Sequence, residues 1–282
     1  MISSSLPVQS EVSSDIATES DVPRGTMAKV IAVCNQKGGV GKSTTAVNVA
    51  SYLALSGKST LVIDMDPQAN ATTALGINRR ELEEDFYGTL IEGTPLGDAV
   101  KHTSIEGLDV VPASMDLAGA ELKLVAMPER EMILRRALEP LAEEYEFILL
   151  DCPPSLGLLT LNALVAADST MIPIQCEYLA LEGLSSLMGT INLVKERLNP
   201  SLHVGGIVLT MTDFRANLTK EVAQEVRNFF KELVFDTCIP RSIRLAESPS
   251  FGKPICQYDP DSTAAFAYRN LTQELMTRHG AL

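Results

Sequence analysis

One stretch decides how the chain is interpreted: VIAVCNQKGGVGKST, residues 30–44. Its first five residues form a short apolar and mostly β-branched run, which predicts a buried strand. After it, residues 46–54 place alanine, valine and leucine at helical spacing and predict a helix. A glycine-rich loop lies between the two. The order of strand, glycine-rich loop and helix is the context that a phosphate-binding loop requires.

The residue types in this loop suit the binding of phosphate. Gly38, Gly39 and Gly41 permit backbone angles that turn their N–H groups inward, as a nest for phosphate oxygens. The helix that follows adds its positive N-terminal end. Lys42 is expected to reach the β- and γ-phosphates, and the Ser43 hydroxyl to bind Mg²⁺. A plain glycine turn before a helix is the alternative, and the Gly-x-Gly-Lys-Ser spacing argues against it.

Carboxylates follow two further apolar strands, predicted at residues 59–64 and 146–151. Asp64 and Asp66 leave the first of them, at the edge where α/β sheets bind ligands. Asp64 suits a hydrogen bond to Mg²⁺-bound water, and Asp66 suits orienting or activating the water that attacks the γ-phosphate. Asp151 ends the second strand in the Walker B arrangement, which predicts contact with the Mg²⁺ hydration shell. A turn at Asp66 and a capping role for Asp151 are the ordinary alternatives.

Strand and helix signals alternate along the rest of the chain. They predict an α/β fold of the P-loop NTPase type, with a mostly parallel twisted sheet and helices on both faces. One of the predicted helices spans residues 129–144. Residues 1–26 are serine-rich and acidic and lack an apolar core, so they predict a disordered tail. The remainder, 27–282, predicts a single domain.

Composition excludes several classes of protein. The chain has 282 residues, of which 45% are apolar, enough for one large core. Its five scattered cysteines have neither zinc nor iron–sulfur spacing and predict reduced, buried thiols. No apolar run approaches the roughly 18–20 residues that span a bilayer. The net charge of −13 disfavours nucleic acid, but residues 195–282 carry +1, which leaves a local basic surface open.

Five segments together resemble the ParA/Soj family of chromosome- and plasmid-partitioning ATPases, over about residues 27–278. The loop has the deviant Walker A form, with an extra lysine at Lys37. The other segments are DMDPQANAT at 64–72, DCPPSLG at 151–157, QCEYLALEG at 175–183 and IPRSIRLAESPS at 239–250.

The resemblance implies a cycle that uses ATP and Mg²⁺. ATP closes a homodimer in which Lys37 contacts the partner's phosphates, and the closed dimer binds DNA without sequence preference. A ParB/Spo0J-like centromere-binding protein stimulates hydrolysis, and the DNA is released. The family also implies a cytoplasmic, nucleoid-associated location and no contact with a membrane.

The resemblance also assigns residues that the sequence alone would leave as surface positions. Arg215 and Arg244 are expected to bind DNA, and Pro240 and Arg241 to lie near the adenine. The predicted catalytic residues are Lys37, Lys42 and Asp66, and the predicted metal residues are Ser43, Asp64 and Asp151. The predicted nucleotide-binding residues are Lys37, Gly38, Gly39, Val40, Gly41, Lys42, Ser43, Thr44, Pro240 and Arg241.

Three other kinds of ATPase share the loop. A MinD-like membrane-associated or cargo-positioning ATPase is the main alternative. Membrane association would need a basic amphipathic C-terminal helix, whereas residues 266–276 carry one arginine and one glutamate. An iron protein like that of nitrogenase would need a cysteine pair for a [4Fe–4S] cluster. A bacterial tyrosine kinase would usually carry a C-terminal tyrosine cluster, and no tyrosine follows Tyr268.

Overall fold

A computed structural model describes residues 28–178 and 180–281 of the chain. The tail predicted at 1–26 lies outside these residues. The strands are β1 (Lys29–Val33), β2 (Thr60–Asp64), β3 (Lys101–His102), β4 (Leu108–Val111), β5 (Phe147–Asp151), β6 (Ser169–Gln175), β7 (His203–Thr212) and β8 (Val234–Pro240). They form one sheet in the order β3-β4-β2-β5-β1-β6-β7-β8. The pairs are parallel, except that β3 runs antiparallel to β4.

Helices cover both faces of this sheet, as predicted. They are α1 (Lys42–Leu55), α2 (Asn70–Ala74), α3 (Leu117–Leu124), α4 (Ile133–Leu138), α5 (Leu158–Ala166), α6 (Ala180–Arg197), α7 (Asn217–Phe230), α8 (Ile243–Glu247), α9 (Ile255–Tyr258) and α10 (Thr263–Arg278). Helices α3 to α7 pack in one apolar layer, and α1, α2, α8, α9 and α10 pack in the other. None of the helices in the described ranges is long and apolar enough to cross a membrane.

The central strands are buried on both sides, which explains their unbroken apolar sequences. In β1, Val30 and Ala32 contribute to one layer, while Ile31 and Val33 contribute to the other. Every residue of β2 and of β5 is buried. Alternation of polar and apolar residues is therefore absent from the strands that carry the site.

The strand order brings the predicted site residues to one edge of the sheet. Strand β1 lies between β5 and β6, and β5 lies between β1 and β2. In this register Asp151 is level with both Val33 and Asp64. The carboxyl ends of β1, β2 and β5 are therefore adjacent, and open α/β sheets bind ligands at such a point.

The helix predicted at 129–144 is wrong in extent. Only Ile133–Leu138 is α-helical, and a 3₁₀ turn over Glu139–Leu141 follows it. Pro140 has no amide to donate to the carbonyl one turn earlier, and its ring crowds the preceding turn, so the α-helix ends at Leu138. At the other end, Glu129 has a φ of 47°, which a helix does not accommodate.

Candidate active site

The loop after β1 has the backbone of a phosphate nest. Gly39 and Gly41 have φ of 74° and 87°, in the left-handed region where glycine is favoured. Gly41 immediately precedes α1, and no side chain in the described part of the chain caps that helix. Its first amides are therefore available to an anion.

Two residues that sequence reasoning missed hold the loop in place. The Asn35 side chain donates to the Pro173 carbonyl at 2.7 Å and accepts from the Lys37 amide at 2.9 Å. The Thr210 hydroxyl lies 2.8 Å from the Val40 carbonyl oxygen. These contacts join β1 and the loop to β6 and β7. Only the strand order, which the sequence does not display, would have revealed them.

Lys42 is folded back over the loop. Its Nζ donates to the Lys37 carbonyl at 3.2 Å, and the residue is buried. Burial lowers the pKa of Lys42, and the charge of Asp151 is the largest influence that opposes this shift. The ammonium group thus lies in the nest, close to a carboxylate at the end of β5.

Asp151 is the unsatisfied group of the site. It is fully buried, and neither of its carboxyl oxygens has a hydrogen-bond partner among the described residues. Burial and then the Asp64 charge raise its pKa, and the nearby Ser43 hydroxyl acts in the opposite direction. Buried polar groups nearly always have an interaction partner, and a hydrated divalent cation beside Ser43 would provide one for this carboxylate.

The acidic side chains do not form a closed metal cage. No cluster of three or more His, Cys, Asp or Glu within residues 28–178 and 180–281 has the arrangement of a metal site. This agrees with Mg²⁺ chemistry, because Mg²⁺ keeps several waters and is usually held by one or two protein groups plus substrate phosphates. The residues present therefore fit Mg²⁺ bound together with a nucleotide.

Asp64 differs from Asp151 in having a full set of partners. Its Oδ2 accepts from both the amide and the hydroxyl of Thr72 at 2.7 Å, and its Oδ1 accepts from the Asp66 amide at 3.2 Å. Burial raises the pKa of Asp64 to about 6, and these hydrogen bonds oppose the shift. Asp66 accepts from the Gln68 amide at 2.9 Å. Both carboxylates lie at the edge formed by β2 and β5, as predicted.

A cleft of about 410 Å³, the loop cleft, opens above these residues. Asp66, Gln68 and Pro154 are among the residues that line it. Its other lining residues include Gly38, Gly39, Gly41, Lys42, Ser43, Thr44, Asn48, Met211, Leu245, Lys253 and Pro254. The cleft is thus polar where phosphates would lie and more apolar toward Met211 and Leu245, as a nucleotide requires.

A family model described as an AAA domain matches residues 28–204. The Bacillus subtilis sporulation initiation inhibitor protein Soj is 51% identical over 249 residues, which is 88% of this chain and 98% of that protein. The Myxococcus xanthus chromosome partitioning protein ParA is 53% identical over 253 residues, covering 90% and 89% of the two chains.

The chain belongs to the ParA/Soj family of chromosome-partitioning ATPases. Among solved structures, the cobyrinic acid a,c-diamide synthase of Mycobacterium smegmatis with bound ADP and magnesium has a TM-score of 0.79. It is 34% identical, and the match covers 90% of this chain and 96% of that one. The predicted family and the predicted P-loop fold are both confirmed.

The extra lysine that marks the ParA/Soj loop is exposed and already paired. Lys37 Nζ forms an ion pair with Glu177, which lies between β6 and α6. Beside it, Gln36 donates to the Ser186 hydroxyl at 3.4 Å. The start of the loop is therefore tied through Glu177 to the segment QCEYLALEG and through Ser186 to α6.

The two predicted DNA-binding arginines of this ParA/Soj protein are also paired with carboxylates. Arg215 makes two hydrogen bonds to Asp213, at 2.8 and 2.7 Å, and these lower the pKa of Asp213 to about 2. Arg244 lies 3.3 Å from Glu247 and 3.3 Å from Asp259. Both guanidinium groups remain largely exposed, with side-chain exposures of 92% and 58%.

The residues predicted near the adenine lie in a second cleft. Pro240 and Arg241 line a space of about 710 Å³ between the ends of β7 and β8 and helix α10, together with Phe214 and Arg215. The described lining of the loop cleft does not include them. Contact between these two residues and the adenine stays a prediction.

Proposed function

We propose that this ParA/Soj protein is a Mg²⁺-dependent ATPase that partitions DNA. ATP closes two copies into a dimer that binds DNA without sequence preference, and hydrolysis opens the dimer and releases the DNA. One observation carries the nucleotide part: the partnerless buried carboxylate of Asp151 beside a glycine nest that contains Lys42. The presence of magnesium and ADP in the M. smegmatis relative supports the same assignment.

Each residue of the site has a defined task in this proposal. Amides of the nest and of α1 hold the phosphate oxygens, and Lys42 neutralises the charge that they carry. Ser43 and Asp151 would hold the magnesium ion through its ligand sphere. When bound, that ion would stabilise the negative charge of the phosphates during hydrolysis. Asp66, on the wall of the loop cleft, orients the attacking water.

The proposal assigns separate tasks to the exposed cations. Lys37 would leave Glu177 and contact the phosphates of the partner subunit. Arg215 and Arg244 would contact DNA phosphates, which would allow an acidic chain to bind DNA locally. A ParB/Spo0J-like protein is the proposed activator of hydrolysis, and the proposed location is the nucleoid in the cytoplasm.

The decisive experiment measures binding to a non-specific duplex with ATP, with ADP and without nucleotide, across a salt series. We expect the protein to bind DNA only in the presence of ATP, and we expect this binding to weaken as the salt concentration rises. Arg244→Glu should weaken it roughly ten-fold or more while ATP-dependent dimers persist, because one phosphate contact becomes a repulsion. The matched control is Arg136→Glu. Arg136 is also exposed and paired with a glutamate, but lies in α4, in the opposite layer.

Two outcomes would contradict the proposal. Equal DNA binding by wild type and Arg244→Glu would remove the assigned DNA surface. ATP-dependent dimers that bind no DNA in any state would reject the partitioning assignment and favour the MinD-like alternative, in which liposomes or a protein cargo are the target.

A further inference from the structure

Thr72 has an environment that no assigned role explains. It lies in the short helix α2 and is buried. Its hydroxyl and its amide both donate to Oδ2 of Asp64, each at 2.7 Å. The same hydroxyl oxygen accepts from the amide of Ala113, just beyond β4, at 3.0 Å. One side chain thus connects the ends of β2 and β4 and the start of α2.

Asp64 in turn is hydrogen-bonded to the backbone of Asp66. Its Oδ1 accepts from the Asp66 amide, so its carboxylate receives donors on both oxygens. The Met65 amide between them donates to the Asp151 carbonyl at 3.0 Å, which fixes the same turn to β5. The backbone that carries the Asp66 side chain is therefore held at two successive residues.

The contrast with Asp151 separates two roles that the sequence gave jointly to Asp64 and Asp151. Asp151 has free carboxyl oxygens and suits a hydrated cation. Three protein donors occupy the oxygens of Asp64, and it lies fully buried. Asp64 is therefore better suited to organise the chain than to take part in the chemistry directly.

We infer that Thr72 is a positioning residue for ATP hydrolysis. It orients Asp64, Asp64 holds the Asp66 amide, and this sets the direction of the Asp66 carboxylate toward the loop cleft. The inference rests on the proposed function, in which Asp66 orients the attacking water. An error of about 1 Å in such a group reduces rates by up to roughly 10²-fold, so the support is worth testing.

The neighbouring Thr73 provides a matched control. It lies in the same helix, and its hydroxyl donates to the carbonyl of Ala69, the residue just before the helix, at 2.9 Å. Thr73→Val therefore removes a hydroxyl from α2 without touching Asp64. Thr72→Val removes the hydroxyl that bonds Asp64 and keeps the amide and the shape of the side chain. Thr72→Ser keeps the hydroxyl and loses only a methyl group.

The test is steady-state ATP hydrolysis in the presence of non-specific duplex DNA, with kcat and KM determined separately. We expect Thr72→Val to lower kcat roughly ten-fold and to change KM by less than about two-fold, because nucleotide contacts remain. Thr72→Ser should recover most of the rate, and Thr73→Val should match wild type. Thermal melting of each variant shows that the protein assayed is folded.

Three results would overturn the inference: a normal kcat in Thr72→Val, a kcat in Thr72→Ser as low as in Thr72→Val, or an equal loss in Thr73→Val. If Thr72→Val does not fold, Thr72→Ser tests the inference by itself. It keeps the hydroxyl, so a large loss of kcat in Thr72→Ser would contradict positioning by that hydroxyl. The variant Asp66→Ala distinguishes a failure of the Thr72 inference from a failure of the proposed function. A wild type no faster than Asp66→Ala would reject both, whereas an inactive Asp66→Ala beside a normal Thr72→Val would reject the inference alone.

Discussion

At the scale of the residue, Lys37 is held by its own chain. In the proposed dimer, its ion pair with Glu177 would have to break before the lysine could reach the partner's phosphates. Glu177→Gln should therefore allow ATP-dependent dimers at lower ATP concentration. The pair is about half exposed and contributes no more than about 1 kcal/mol, so the gain should not exceed roughly five-fold. Sedimentation across an ATP titration measures it, with the exposed Glu182→Gln in α6 as the matched control. Unchanged or weakened dimerisation in Glu177→Gln would contradict the idea that the ion pair restrains Lys37.

The positions of the candidate site residues could be predicted where they depend on local spacing. Gly41, Lys42 and Asp151 follow from their positions beside apolar strands, and the structure gathers them at one edge. Thr210 could not be predicted, because it lies in β7 and only the strand order places it beside Val40 of the loop. Thr72 follows Asp64 by only eight residues, but its contact with Ala113 depends on the pairing of β2 with β4, and no spacing pattern in the sequence indicates the bonds that it makes. Asp64 was identified, but its saturation by three donors is visible only in three dimensions.

At the scale of the element, α10 packs against α1, which begins at the phosphate loop. The Tyr268 hydroxyl lies 3.2 Å from the Thr45 hydroxyl in the buried contact between them. Tyr268→Phe would leave Thr45 without that partner and should lower the free energy of unfolding by about 1–2 kcal/mol. Urea denaturation measures this, with Tyr178→Phe as the control because Tyr178 is exposed. Equal midpoints for the two variants would show that the hydroxyl pair does not stabilise the fold.

The helices and strands were predicted well where burial requires a recognisable pattern of apolar residues. Both faces of β1, β2 and β5 are covered, so their apolar runs are unbroken. In α10, Tyr268, Leu271 and Leu275 recur at helical spacing, and all three are buried. The helix predicted at 129–144 failed because its apolar spacing continued past Pro140. The strand order was not predictable, because periodicity says which face is buried but not which strand is adjacent.

At the scale of the whole molecule, His279 makes stability depend on pH. It follows α10, and its ring packs edge-on against the ring of Phe147, with 6.2 Å between the two ring centroids. Burial, then the charges of Lys29, His203 and Arg278, lower the pKa of His279 to about 4. The unfolded chain takes up this proton near pH 6.5, so acidification between pH 6.5 and 4 favours the unfolded state.

Replacing this histidine should remove that part of the acid sensitivity. From pH 7 to 5, His279→Gln should lose about 1 kcal/mol less stability than wild type, after allowance for its partial exposure. Asp64, whose pKa is raised to about 6, acts in the opposite direction but contributes equally to both proteins. Urea denaturation at the two pH values makes the comparison. Equal losses of stability in wild type and His279→Gln would show that other groups cause the acid sensitivity.

The packing of α10 on α1 also has a consequence for synthesis. A ribosome makes the loop at 35–41 more than two hundred residues before α10. Until then α1 lacks part of its cover, and the walls of the loop cleft at Leu245 and Pro254 do not exist. Domains generally fold as units once enough of the chain has emerged. Nucleotide is thus expected to reach a formed site only on nearly complete chains, so it cannot rescue translation products that stop early.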